Sequence, residues 1–280
     1  MDEKKEISVL RKEIKRLRKA LAKVSPDIES LLKQRGFKVY KKEPVDDLLT
    51  PRGETTPFYE LMRKYSFRLF LRDVIKNQEG FTHSEVCRYT ALAAAADYVA
   101  KLLAFGLVEQ IGPDKYRLVK RPLRSFGVTL EWFLAELLKR EFGTQALWGV
   151  KFRRSGVGGD YDLLAKIDSS ILYLEVKSSP PKQIYAREIA AFLDRIRDLQ
   201  PAVGIFFMDT TLRMKDKIVP MFEEELAKRS DSPPAVKRMV KELFRIADNI
   251  FIINAQGSIA GNIEKCLSWY FKKREETGIP

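Results

Sequence analysis

The chain has 280 residues, 45% of them hydrophobic, enough for about two cored domains and too apolar for a disordered protein. With 51 Lys and Arg against 38 Asp and Glu, the formal charge of +13 favours a polyanionic partner, nucleic acid before membrane. No run approaches the roughly 18 apolar residues of a spanning helix, and the first residues lack a signal-peptide core, so a cytoplasmic location is expected. Cys87 and Cys266 are too few and too far apart for a disulfide framework or a thiolate metal site. A single histidine, His83, argues against His-dependent catalysis and zinc chemistry. Few Asn and Gln beside 32% charged residues lean thermophilic.

Residues 1–34 read as an amphipathic helix. Ile7, Leu10, Ile14, Leu17, Leu21 and Val24 alternate spacings of three and four, a heptad seam that Ile28 and Leu31 extend beyond Ser25-Pro26. Such a seam serves either a short coiled coil, and hence a homodimer, or a helix packed on its own body. Residues 35–66 form a linker or extension, with a short strand at 36–40 and linker chemistry at 50–57. Residues 67–121 hold a helix at 68–78, a capping box Thr82-His83-Ser84-Glu85 opening a short second helix, a third helix at 91–105 stopped by Gly106, and a hairpin turning at Gly112-Pro113-Asp114. His83 is a solvated helix-start residue in this reading.

Three short helices followed by a hairpin resemble a winged helix, a helix-turn-helix variant that usually binds DNA. The third helix opens Ala91-Leu92-Ala93-Ala94-Ala95-Ala96, and alanines cannot make bidentate base contacts. The resemblance therefore implies backbone or shape reading through Arg88, Tyr89, Lys101, the wing residues Lys115 and Arg117, and the basic joint Lys120, Arg121 and Arg124. Protein docking is the competing use of an alanine surface.

Residues 122–280 form the last unit. A helix is expected at 129–142, capped by Thr129 and stopped by Gly143. Next come two strands, Gly159-Asp160-Tyr161-Asp162-Leu163-Leu164-Ala165 and Ile171-Leu172-Tyr173-Leu174-Glu175-Val176-Lys177, around the turn residues Asp168-Ser169-Ser170. Glu175 and Lys177 share a face. If Ser169-Ser170 is the turn, Asp162 lies opposite Lys177; if Asp168-Ser169 is the turn, it lies opposite Glu175. Either register gathers two carboxylates and one ammonium on one face. Carboxylates that close repel unless one is protonated or a cation lies between them, and a hard divalent ion such as Mg²⁺ takes such oxygens. Beyond the hairpin, a helix at 185–199, a buried strand at 202–208, helices at 217–229 and 235–246, a strand at 249–254 and a basic helix at 259–274 predict a mixed sheet covered on both faces.

The run Asp162 with apolar residues, then Glu175-Val176-Lys177 after a short hairpin, resembles the PD-(D/E)XK signature of restriction-endonuclease-like folds, in the flavour of archaeal Holliday-junction resolvases and repair nucleases. The resemblance covers roughly residues 125–210. It implies that Asp162, Glu175 and the Val176 carbonyl hold Mg²⁺, with Mn²⁺ as a substitute, and that Glu131 of the preceding helix assists, Glu136 being the reserve. Lys177 would position the attacking water. Asp160 has the strand parity of Asp162 and is its alternative. Gln183 and Tyr185 match only in part the Gln-x-x-x-Tyr of RecB-type relatives, because Arg187 stands in the fourth place. The expectation is an α+β protein of long helix, winged helix and nuclease domain: a Mg²⁺-dependent, structure-selective DNA endonuclease. The alternatives are a non-catalytic DNA-binding scaffold with a relic nuclease fold, and an RNA nuclease.

Overall fold

The computed structural model describes residues 25–153 and 159–276, with Glu13 and Arg16 before them. The heptad seam from Ile7 to Val24, and with it the expected dimer helix, lies outside the described residues. The seam's last two members do not extend it. They belong to a short helix α1, Ile28–Gln34, which Asp27 caps by accepting the Ser30 N–H at 2.7 Å. Its Ile28, Leu31 and Leu32 are buried against the body of the same chain.

An eight-stranded mixed sheet organises the rest. It runs β1 (Val39–Lys41), β4 (Ala146–Phe152), β5 (Tyr161–Ile167), β6 (Ser170–Lys177), β7 (Val203–Met208), β10 (Ile250–Asn254), β9 (Leu243–Ile246) and β8 (Val236–Val240). The central strands β6, β7 and β10 are parallel, and the others pair antiparallel. Such a centre must be covered on both faces. On one face lie α5 (Gly127–Phe142) and α8 (Ile259–Glu276); on the other lie α1, α6 (Ala186–Leu199) and α7 (Ile218–Ala227). Phe192 of α6, Phe222 of α7 and Phe206 of β7 meet edge-on with ring centroids 5.2–6.0 Å apart.

Before α5 come α2 (Thr56–Met62), α3 (Tyr65–Lys76), α4 (Leu92–Ala104) and the hairpin β2 (Val108–Gly112) and β3 (Lys115–Leu118). Their core, including Phe58, Phe67, Phe70 and Leu102, is continuous with the α5 face of the sheet. The helix expected after Thr82 does not form. Thr82 N–H does donate to Glu85 Oε2 at 2.7 Å, but residues 83–90 follow as turns. One capping contact cannot offset the nucleation cost of so short a helix, especially with Val86 buried and β-branched.

Two further expectations need correction, and one strand lies where none was expected. Residues 235–246 are not a helix but the hairpin β8–β9, turning at Lys241-Glu242 with Lys241 at φ 49°. Strand β4 went unread because Gly149 interrupts its apolar run. Thr129 is not the cap of α5, which starts at Gly127; it is buried, and its hydroxyl accepts the Leu49 N–H at 3.0 Å. Gly143 ends α5 at φ 62°, as its sequence position predicts.

Candidate active site

The β5–β6 hairpin turns at Asp168-Ser169, with Asp168 at φ 49° and pairs running from Ile167↔Ser170 to Leu163↔Leu174. That selects the register in which Asp162 stands opposite Glu175. The backbone ladder stops at Leu163, and beyond it the Asp162 side chain takes over the pairing. Its Oδ2 accepts the Val176 N–H at 2.7 Å. On the other side of β5, Asp162 lies across from Gly149 of β4, whose φ of 56° kinks the strand. A side chain at Gly149 would come within 2.5 Å of Pro44, so the kink and the close approach both require glycine.

Glu175 is the most enclosed carboxylate of the group, 2% exposed, and its oxygens are fully engaged. Lys177 Nζ lies 2.8 Å from Oε1, Arg195 Nη1 of α6 lies 2.9 Å from Oε2, and the Tyr173 hydroxyl also bonds Oε2. Burial, and then the charge of Glu175, raise the Tyr173 hydroxyl well above its usual range, so it keeps its proton and donates. For Lys177, burial opposes the charge, but Glu175 and Asp162 outweigh it and the ammonium is held above its ordinary value. Glu188 Oε1 of α6 is 3.4 Å from the same ammonium, while its Oε2 accepts the Tyr185 N–H at 2.9 Å in a capping box.

Asp162 and Glu131 are compensated differently. Burial, followed by the nearby charge of Glu175, pushes Asp162 up to about 7. Burial, followed by Asp162, Asp160 and Glu175, pushes Glu131 up to about 9. Glu131 projects from α5 towards the Gly149 kink, its Oε2 3.7 Å from where a Cβ on that glycine would stand. Asp162, Glu131 and Glu175 thus lie close enough for their negative charges to oppose one another.

Oxygen donors with excess negative charge suit a hard divalent cation by their chemistry. Among the described residues, however, no three His, Cys, Asp or Glu side chains form a group able to hold a metal ion. Asp160 pairs with Lys151, 2.8 Å distant, and Glu136 is engaged by Lys139 and Arg140 at 3.3 and 3.2 Å.

Comparison with solved structures finds a likeness to Can2 from Sulfobacillus thermosulfidooxidans, solved in complex with cyclic tetra-adenylate. The TM-score is 0.50 at 14% identity, over 87% of this chain and 60% of that one. VC1899 from Vibrio cholerae aligns with a TM-score of 0.43 and 10% identity, over 78% of this chain and 57% of that one. The chain spans less than two thirds of the length of either protein, and the likeness to Can2 is one of fold alone. No family model and no curated protein matches the sequence.

The residues expected to touch nucleic acid are mostly engaged within the fold. Lys101 pairs with Asp97, Arg117 with Glu109, Arg121 with Glu79 and Glu109, and Arg124 with Asp47. Lys120 donates to the carbonyls of Val45 and Leu48, and Lys115 lies against Gly80. The Arg88 guanidinium lies 5.4 Å from the Tyr89 ring centre, and Tyr89 and Arg124 share the wall of a cleft beside the site. His83 is not an isolated cap residue; it bonds Asp114 of the β2–β3 turn and meets the Tyr116 ring edge-on.

The sequence reading missed Tyr173, Glu188 and Arg195. Tyr173 shares strand parity with Glu175, a signal that was available. Glu188 and Arg195 are seven apart on α6 and so share a face, but nothing local to them points at Glu175. Also missed was a buried ionic cluster directly behind Lys177. Arg68 of α3, 1% exposed, donates to Asp209 at 2.8–2.9 Å and to the Met62 carbonyl at 2.7 Å; Arg72 donates to the Asp209 carboxylate at 2.5 Å. The Asp209 N–H donates to the Lys177 carbonyl at 2.9 Å.

Proposed function

We propose that this protein is a metal-dependent nuclease that hydrolyses phosphodiester bonds of nucleic acid, acting on DNA as a structure-selective endonuclease. The observation that carries the reading is the convergence of Asp162, Glu175, Lys177 and Glu131 at the end of the β5–β6 ladder. Asp162 and Glu131, with the Val176 carbonyl, would hold Mg²⁺ or Mn²⁺ beside a Glu175 fixed by Tyr173 and Arg195. Such an ion supplies Lewis acidity at a phosphoryl oxygen. Lys177 orients a water for attack and offsets charge developing on the phosphate. The helices α3 and α4 and the β2–β3 hairpin would act in the manner of a winged helix, holding the backbone by a salt-sensitive, sequence-independent attraction. The N-terminal helix would pair two copies of the chain as a coiled coil.

One observation favours a second reading. Glu175 has both oxygens occupied by Lys177, Arg195 and Tyr173, as in a structural ion cluster that needs no metal. A non-catalytic DNA-binding scaffold would look the same there. Calorimetric titration with Mn²⁺ and Mg²⁺ separates the two. The nuclease reading expects a site that disappears in Asp162→Ala; a scaffold gives no site in either protein.

A further inference from the structure

At the carboxyl ends of the parallel strands β6 and β7, immediately after Lys177, a cleft of about 750 Å³ opens between α3 and residues 123–126. That is ample for a ligand site, since such cavities run from roughly 300 to 1,000 Å³. In open parallel sheets, the crevice beyond the carboxyl strand ends is where ligands bind. Its walls are fixed. Gln78 donates to the Leu123 carbonyl at 3.1 Å and accepts the Leu123 N–H at 2.7 Å, and Arg72 stacks over Phe126 with the guanidinium 5.4 Å from the ring centre.

Charge is layered across this cleft. At its mouth are the exposed cation Lys76 and Arg124, whose side chain is 82% exposed while pairing with Asp47 at 2.6 Å, beside Tyr89, 55% exposed. Deeper lie the half-buried Asp73 and the buried Asp209, whose charge is matched by Arg68 and Arg72. Asp73 Oδ2 is buried and has no hydrogen-bond partner among the described residues. A phosphate is attracted to the mouth and repelled by Asp73. The polar edge of a base is the complementary group, because its amino and imino N–H groups donate to a carboxylate. The exposed Tyr89 ring offers a stacking face that any base can use. On the opposite wall Ser178 and Ser179 continue directly from Lys177.

We propose that this cleft binds an unpaired nucleotide of a single-stranded segment next to the cleaved phosphate, with its phosphates at Lys76 and Arg124, its base against Tyr89 and its base edge towards Asp73. A paired duplex keeps its bases inside and cannot enter, so the cleft selects flaps, tails and single strands. The proposal deepens the nuclease reading and rests on it for the word "cleaved"; the binding itself does not.

The test is therefore binding without catalysis. Fluorescence anisotropy in chelator would compare a blunt labelled hairpin duplex, the same duplex with an unpaired tail, and a single strand, for the native protein, Tyr89→Ala and Asp73→Asn. Native protein should prefer the tailed and single-stranded probes by about tenfold or more, the size of a base–aromatic stack. Tyr89→Ala should remove most of that preference and leave blunt-duplex binding within about twofold; Asp73→Asn should narrow it in the same direction. Both substitutions are at surface or half-buried positions, and thermal melts check that the fold is kept. Equal affinity for blunt and tailed probes, or a preference unchanged in Tyr89→Ala, would overturn the proposal. Cleavage by the native protein with Mg²⁺ or Mn²⁺, assayed alongside, separates the two readings: a failure of the nuclease reading shows in cleavage and a failure of the cleft shows in anisotropy.

Discussion

Glu131 and Asp162 differ from Glu175 in what holds their charge. Glu175 has an ammonium, a guanidinium and a phenol against it, whereas Asp162 has one backbone N–H and Glu131 faces other carboxylates. The folded state raises both groups above their ordinary values of 3.8 and 4.5, to about 7 and about 9. Above pH 4 the folded protein then binds protons that the unfolded chain releases, so stability falls as pH rises towards 9. Replacing Glu131 by Gln removes the cost of taking up a proton that the unfolded chain releases. In chelator at pH 8, Glu131→Gln should be more stable than the native protein by about 1–2 kcal/mol, and its stability should depend less on pH. Denaturant titrations at pH 5, 7 and 9 measure this; a native stability that is flat or rises across that range would contradict the assignment of uncompensated carboxylates. Added Mg²⁺ should narrow the difference by stabilising the native protein through its bound state.

At the scale of elements, two hairpins with two-residue turns show what the sequence made legible. The turn of β5–β6 places Asp168 at φ 49°, a conformation that Asp tolerates, so the strands and the turn region could be read from residues 159–177, with the choice between two registers left to the fold. The turn of β8–β9 places Lys241 at φ 49°, where sequence rules expect Gly or Asn. With that marker missing, the charged and apolar spacing of 235–246 imitates a helix. Lys241→Gly should relieve the left-handed strain and raise stability by about 0.5–1 kcal/mol; a loss would show that the Lys241 side chain contributes more than its backbone costs. Strand β4 was hidden by Gly149, whose kink is the feature that opens the site to Glu131. In each case an irregular backbone position that the fold requires masks its own signal in the sequence.

Over the whole molecule, the helical region before α5 and the sheet are joined behind Lys177 by Arg68, Arg72 and Asp209. The pattern at 68–78 gives an amphipathic helix, and Arg68 reads there as an ordinary surface cation. Its burial against an aspartate 141 residues later depends on long-range packing that no local pattern encodes. Removing Arg68 leaves Asp209 with Arg72 as its remaining partner and the Met62 carbonyl without its donor, so Arg68→Met should cost about 1.5–3 kcal/mol in denaturant unfolding. A cost under 1 kcal/mol would mean that the cluster only decorates the junction. Among the described residues no helix is long and apolar enough to cross a membrane. Of the cations expected at a nucleic-acid surface, Arg117 pairs with Glu109 and Arg124 with Asp47 within the fold.

Cleavage of labelled DNA and RNA in duplex, flap, junction and single-stranded forms, with Mg²⁺, Mn²⁺ or chelator, tests the site most directly. Native protein should cut DNA only with metal, and Lys177→Ala should lower the rate by about 10²–10³-fold while still binding the same substrates. Native protein that binds these substrates and cuts none of them with either metal, or cleavage that survives in Lys177→Ala, would contradict the catalytic assignment of Asp162, Glu131, Glu175 and Lys177.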